Sequence, residues 1–222
     1  MASINQRIEE LIGSDYNTIP ANSLQDLTNA AVNEIADSLP PELLLKYVAT
    51  KTEVTSSAGM DATEEKKVLL VTREISNSGT EVRECTPVPF YEFLRAQDST
   101  SIYTATVESP VYTYDVTTAD DPKLKIFPVP TGDQIVTIWH FNYKTGATGD
   151  GSTINGLPNS VLQAVVLKSC INILQTYISD FVQDEEDNEM QTMLTAQIQT
   201  LTQQYGMEMS RFMEQDATPR GE

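Results

Sequence analysis

The strongest helical pattern of apolar positions lies in the last quarter of the chain, from Leu157 to Met213. Its first half predicts a long helix that is apolar on more than one side. The main stripe of that helix is Ala164, Leu167, Ile171, Leu174, Ile178 and Phe181. The second half predicts another long helix with a single stripe, formed by Met190, Leu194, Ile198, Leu201, Tyr205, Met209 and Phe212. These two helices are expected to set the core against which the earlier elements pack.

Shorter segments with the same helical spacing precede them near the N-terminus. They predict helices over residues 3–13, 23–39 and 41–50. Pro41 suits the first turn of the third of these helices. Proline has no backbone N–H, and the N–H groups of a first helical turn have no partner within the helix. Helices therefore occupy both ends of the predicted fold.

In the middle of the chain, apolar and polar residues alternate with a period of two, which predicts strands. The predicted strands cover residues 66–75, 80–88, 109–116, 123–129 and 134–143. The first two are expected to form a hairpin around a short turn that contains glycine. A short helix over 89–96 is expected to place Phe90, Phe93 and Leu94 against the sheet.

Together these elements predict an α+β fold, a helical bundle with two long C-terminal helices and an inserted antiparallel β-rich subdomain. The helical body is expected to take residues 1–52 and 154–213, and the β-rich insert residues 66–146. A hinge loop is predicted over 53–65, where Thr, Ser, Ala and Gly replace the periodic pattern. Residues 214–222 are expected to form a flexible C-terminal tail.

The charge of the chain excludes a common way of binding nucleic acid. The net charge of the 222 residues is −18. Residues 1–65 and 179–222 each contribute −8, whereas residues 66–178 contribute −2. Contacts to DNA phosphates require clustered Lys and Arg, so the chain is not expected to bind DNA in that way. No stretch is long and apolar enough for a membrane span, and the N-terminus lacks the apolar core of a secretion signal, so neither membrane insertion nor secretion is expected.

Few residues have the spacing of catalytic or metal-binding groups. Cys85 and Cys170 lie far apart and form no Cys-x-x-Cys motif, so we interpret them as reduced thiols that act as small apolar residues in a reducing cytoplasm. His140 is the single histidine of the sequence and alternates with aromatic residues in a predicted strand, so a strand-face or subunit-contact role is expected rather than a catalytic one. No cofactor or metal is expected.

An acidic run precedes the second long helix. It consists of Asp184, Glu185, Glu186, Asp187 and Glu189. The simplest interpretation is a helix start, because acidic side chains interact favourably with the positive end of the helix dipole. A functional acidic surface and a metal site remain as alternatives, although the run lacks the ligand spacing of a calcium loop.

Three segments of the chain carry a resemblance to a known family. They are FPVPTGDQIVTIWHFNY, then LPNSVLQAVVLKSCINILQTYISD after a Gly-rich loop, and the N-terminal helices with IEELIG, EIADSL and LPPELLLKY. In this respect the chain resembles the neck adaptor proteins of tailed bacteriophages, the connectors that join the head to the tail. The size of the β insert and the strong acidity are points at which such adaptors differ from one another.

The resemblance implies a structural virion protein of the neck rather than an enzyme. It implies a ring of about twelve copies around the DNA channel, closed by repeated contacts between copies. The implied partners are the portal protein and the tail or nozzle proteins, with assembly in the host cytoplasm.

Two groups of residues become candidate sites under this resemblance. Portal docking is assigned to the end of the second long helix and the tail beyond it, at Arg211, Phe212, Met213, Pro219 and Arg220. Alternatively, the tail is unstructured and Phe212 packs against its own domain. The acidic run is expected to border the DNA passage without binding the genome.

Three other functions remain open. The chain could be another phage tail or capsid accessory protein, an acidic protein that mimics DNA, or an enzyme such as a glycan hydrolase that uses paired carboxylates. A portal gene immediately upstream would favour the adaptor, whereas anti-restriction genes nearby would favour the DNA mimic.

Overall fold

The predicted fold class is confirmed. A computed structural model describes residues 4–13, 21–47, 50–54, 60–61, 66–76, 81–115, 123–131, 134–143, 157, 161–179 and 188–217. Within these ranges the helices are α1 (Ile4–Ile12), α2 (Ala21–Ser38), α3 (Pro41–Tyr47), α4 (Phe90–Ala96), α5 (Leu162–Tyr177) and α6 (Asn188–Ala217). The strands are β1 (Thr50–Val54), β2 (Met60–Asp61), β3 (Lys66–Glu74), β4 (Val82–Glu84), β5 (Thr86–Pro87), β6 (Val111–Asp115), β7 (Lys123–Phe127) and β8 (Val136–Asn142). The chain is α+β, with two long C-terminal helices and mainly antiparallel sheets.

The chain divides into two compact units. The helical unit comprises Met1–Leu43 and Lys144–Glu222, and the β unit comprises Leu44–Tyr143. The domain boundaries expected from the sequence remain predictions. They are 1–52 with 154–213 for the helical body and 66–146 for the insert.

Helix α5 is the centre of the helical unit. It contacts α1, α2 and α6. Its buried residues point in several directions, as the sequence predicts, and are Leu162, Ala164, Val165, Val166, Leu167, Ser169, Cys170, Ile171, Ile173 and Leu174. Two polar contacts also join it to α2, where Lys168 Nζ lies 2.7 Å from Glu34 Oε2 and Asn172 Nδ2 donates to Leu27 O at 3.5 Å. Helix α5 therefore lies at the centre of the described part of this unit.

Helix α6 packs through a single stripe, which confirms the predicted pattern. Leu194, Leu201, Met209 and Phe212 are buried along it, while most intervening side chains are exposed. The helix runs to Ala217, so the predicted flexible tail is wrong for residues 214–217. Glu, Gln and Ala in that stretch favour helix. Residues 218–222 lie outside the described ranges.

The β unit contains two four-stranded sheets. Their strand orders are β1-β8-β3-β4 and β2-β7-β6-β5, and all neighbouring strands are antiparallel except β5 and β6. The hairpin of β3 and β4 is confirmed, with Thr72 opposite Glu84, whereas its predicted turn lies outside the described residues. The strand predicted over 80–88 is divided at Cys85, and its second part, β5, joins the other sheet.

Part of the predicted hinge loop is strand. Residues 53–54 belong to β1, which pairs with β8, and residues 60–61 form β2, which pairs with β7. The third helix ends at Tyr47 rather than at residue 50, because Thr50 already pairs with His140 in β8. Thr and Val have good strand propensity. The hydrogen bonds of β1 and β2 come from β8 and β7, and the local sequence does not indicate these partners.

One core joins the two sheets. Its buried residues are Val71, Cys85, Leu124, Val136 and Ile138, with Val54, Val68, Tyr112 and Ile126 packed against them. Both sheets contribute side chains to it, as expected for two sheets that pack face to face.

Helix α4 is only about two turns long and packs through one of its faces. Phe93 is buried and its ring lies edge-on to Phe127, with the ring centroids 6.5 Å apart. Leu94 is 52% exposed, so its predicted packing against the sheet is wrong. Consecutive helical residues point about 100° apart, and a short helix on a sheet buries one side only.

Two glycines in the helical unit are expected to respond oppositely to alanine. Gly13 ends α1 with φ of +87° and donates its N–H to Glu9 O at 2.9 Å, so Gly13→Ala should destabilise the protein by about 1 kcal/mol. Gly206 lies inside α6, and an added Cβ would meet no atom within 4 Å. Gly206→Ala should therefore stabilise it by about 0.5–1 kcal/mol. Urea denaturation measures both, and shifts in the same direction would contradict these helix assignments.

Candidate functional site

The predicted portal-docking residues that the structure describes lie at the C-terminal end of α6. Phe212 is 6% exposed and belongs to the stripe that packs within the helical unit. Arg211 and Met213 flank it in sequence and are exposed. Pro219 and Arg220 lie outside the described residues. Phe212 therefore packs within the protein near the end of the helix, whereas the side chains of Arg211 and Met213 face solvent.

Of the acidic run, only Glu189 lies in the described part of the chain; Asp184, Glu185, Glu186 and Asp187 lie outside it. Glu189 is exposed in the first turn of α6, where a carboxylate interacts favourably with the helix dipole. Glu189 and Arg211 are 22 positions apart on one helix, which separates their backbones by about 33 Å. The described members of the two predicted sites thus lie near opposite ends of α6.

A group of exposed apolar side chains follows the chain through α4 and the segment after it. The exposed fractions are 62% for Tyr91, 52% for Leu94, 91% for Ile102 and 63% for Tyr103. The guanidinium carbon of Arg95 lies 5.5 Å from the centroid of the Tyr103 ring. The sequence analysis does not identify this group. Apolar residues on nearly every side of a seven-residue helix do indicate that some of them are exposed.

A polar cluster ties the loop between β7 and β8 to β3. Arg73 is 2% exposed, and its Nη2 donates to Gln134 Oε1 at 2.9 Å and to Val129 O at 3.3 Å. Gln134 Oε1 also accepts from the Thr131 backbone N–H at 3.1 Å, and Gln134 Nε2 donates to Ile75 O at 2.9 Å. Desolvation lowers the pKa of Arg73. The cluster connects the Pro-Val-Pro segment, residues 128–130, to β3 and has a structural role.

Both cysteines are free and buried. Burial raises the pKa of Cys85 and of Cys170 to about 12, so both thiols stay protonated near neutral pH. This protonation supports their interpretation as small apolar residues. Within the described ranges, no group of three or more His, Cys, Asp or Glu residues is arranged to hold a metal ion.

His140 lies on the buried face of β8. It is 2% exposed, and its Nε2 lies 2.8 Å from Thr52 Oγ1 on the neighbouring strand β1. The contact joins two strands of one sheet, which agrees with the predicted strand-face role.

The sequence of this chain matches the model of the SU10 adaptor protein family over residues 1–219. The chain belongs to the SU10 adaptor protein family. This is a family of phage head-to-tail adaptors, so the resemblance found in the sequence is confirmed. A search of curated proteins found no match.

Membership of this family makes the chain a phage adaptor protein and a component of the virion. The family is structural, which implies a non-enzymatic role, and it implies interaction with portal or tail components of the phage. Among the described helices, none combines the length and apolarity needed to cross a membrane.

Proposed function

We propose that this SU10 adaptor assembles into a ring of about twelve copies that joins the portal to the tail around the DNA channel. The observation that carries the proposal is the family match over residues 1–219, which spans both units. The long helix α6 adds support, because among the residues that the structure describes it buries a single stripe and leaves its other sides exposed. An accessory role elsewhere in the tail or capsid, DNA mimicry and carboxylate-based catalysis have no comparable observation in their favour.

Portal docking is proposed for the C-terminal end of the helical unit. Arg211 and Met213 are exposed beside the buried Phe212, which fixes this part of α6, and the helix continues to Ala217. Pro219 and Arg220 belong to the same proposed contact. A portal surface would then meet exposed side chains of the last turns of α6 together with Pro219 and Arg220.

The acidic run is proposed to border the DNA passage. The helical unit contains 18 acidic and 5 basic residues, a net charge of −13, whereas the β unit carries −5. Like charge facing the genome across a gap near the Debye length, about 8 Å at physiological salt, repels DNA rather than retaining it. Glu189 and the four acidic residues before it suit such a lining.

The purified adaptor is therefore expected to show no measurable DNA affinity even at low salt. A variant with Asp184, Glu185, Glu186 and Asp187 changed to Lys should remain folded, gain salt-dependent DNA affinity and slow genome ejection when built into the phage. Fluorescence anisotropy with duplex DNA and an ejection assay measure these effects. Tight DNA binding by the unchanged protein would refute the proposed lining.

A cryo-EM map of the virion neck tests the proposed function. The expected result is a ring of this chain between portal and tail, with the end of α6 towards the portal and the acidic run towards the channel. A position elsewhere in the particle would refute the neck assignment.

A further inference from the structure

The exposed face of α6 contains a long segment without charge. The 18 residues from Met190 to Met207 include no Asp, Glu, Lys or Arg, although charged residues make up 21% of the whole chain. At 1.5 Å per residue, this segment is about 27 Å long. An exposed helix in a protein of net charge −18 normally presents charged side chains to solvent, so the segment calls for another explanation.

Within this segment, five exposed residues form a line that we call the outer seam. They are Met193, Ala196, Thr200, Gln203 and Met207. Their spacings are three, four, three and four, the pattern by which one helix packs along another. Helical geometry directs the outer seam roughly 150° away from the stripe that packs within the helical unit. Met193 and Met207 near its two ends are 63% and 64% exposed.

Charge indicates what this seam can contact. The helical unit has a net charge of −13, so two copies that approach through charged surfaces repel each other. A face without charge removes that repulsion where contact is closest and avoids burying unpaired carboxylates. A strongly basic partner, by contrast, would be matched by an acidic face. The surface suits a second copy of this acidic chain.

We propose that the outer seam of α6 forms one side of the contact between neighbouring copies of this adaptor, an inference that rests on the ring proposed above. In a ring of more than two copies, the other side of each contact is a different surface of the next copy. A single helix face covers roughly 400 Å² per copy, about half of what each partner contributes to a stable pairwise complex. Two isolated copies therefore associate weakly. In a ring each copy has two neighbours, and a portal ring that holds the copies side by side raises their effective concentration.

Cooperative binding to the portal is the direct sign of such a contact. Portal rings of the same phage are titrated with adaptor, and occupancy is measured by sedimentation velocity. In the limit of very low adaptor concentration an occupied portal ring holds one copy, so only the portal contact is measured, whereas filling the ring also measures contacts between copies.

Two threonines on α6 give a matched pair of variants. Thr200 lies in the outer seam, and Thr202 lies outside it; both are exposed, and their Oγ1 atoms donate to the carbonyls four residues earlier at 3.0 Å and 2.8 Å. Thr200→Glu and Thr202→Glu therefore add the same charge and lose the same kind of hydrogen bond. Circular dichroism melts should show both variants folded.

The expected result is cooperative filling of the portal by the unchanged protein and by Thr202→Glu. Thr200→Glu should bind its first copies with unchanged affinity, lose cooperativity, and need at least about tenfold more protein to fill the ring. If Thr200→Glu fills the ring as cooperatively as the unchanged protein, the inference is wrong. If it weakens binding of the first copies, the seam contacts the portal instead, and the inference is again wrong.

The behaviour of the unchanged protein distinguishes a failure of this inference from a failure of the proposed function. Portal binding without cooperativity overturns the contact between copies and leaves an adaptor that docks on the portal. No portal binding by the unchanged protein overturns the proposed function and the inference together.

Discussion

Replacing Leu174 by aspartate is expected to leave the protein unfolded. Leu174 is 4% exposed in α5, the helix that contacts α1, α2 and α6. Removing a buried leucine side chain costs about 2–5 kcal/mol, and burying an unpaired carboxylate adds several more. Small domains have a net stability of about 5–15 kcal/mol, so the combined loss is comparable with the whole. Far-UV circular dichroism and urea denaturation of the purified variant measure the effect.

The neighbouring position provides the control. Gln175 follows Leu174 on the same helix and is exposed. Gln175→Asp introduces the same carboxylate on the solvent side, so its free energy of unfolding should stay within about 0.5 kcal/mol of the unchanged protein. Equal stability of the two variants would show that α5 is not the centre of this unit.

Deleting residues 214–222 is expected to give a folded protein that attaches poorly to the portal. Phe212 is the last residue described as buried, and it remains in the shortened chain. If Pro219, Arg220 and the last turn of α6 contact the portal, their loss should weaken attachment at least tenfold, which corresponds to about 1.4 kcal/mol. Co-sedimentation of the truncated protein with portal rings measures attachment.

A shorter deletion, of residues 218–222, separates the contributions within the tail. It keeps α6 intact to Ala217 and removes Pro219 and Arg220. Attachment lost equally in both truncations assigns the contact to those last five residues, and attachment lost only in the longer one assigns it to the helix end. Should both truncated proteins join portal rings with unchanged affinity, the tail is not the anchor and Phe212 merely closes its own unit.

Both long helices could be predicted because burial repeats along them with the helical period. Leu194, Leu201, Met209 and Phe212 all belong to the stripe that the sequence predicts, and all four are buried. The many apolar residues of α5 likewise predict a helix that is surrounded by others. In such segments, the side chains that decide the packing are themselves the signal.

Strands β1 and β2 could not be predicted in the same way. Each is held by backbone hydrogen bonds to a strand more than 60 residues away, and the sequence around them is typical of a loop. Long-range pairing depends on where the partner strand lies, which local periodicity does not report. The lack of large apolar residues in 214–217 favours a tail, whereas Glu, Gln and Ala in the same stretch favour the helix that forms.

Prediction of the candidate sites from sequence had the same limit. The acidic run and the helix end could be named from charge and from the helical pattern, whereas the separation of Glu189 from Arg211 along α6 required the structure. The link between Arg73 and Gln134 spans 61 positions and has no local signature. The spacing of the outer seam can be read from the sequence. Its exposure follows from the structure, in which the opposite face of α6 is buried.

Analytical ultracentrifugation of the adaptor mixed with its portal tests the central claim most directly. The neck assignment predicts one defined complex, much larger than the portal ring alone, with about one adaptor per portal subunit. The adaptor alone should sediment as a smaller species at the same concentration. An adaptor that stays monomeric in the presence of portal rings would contradict the proposed function.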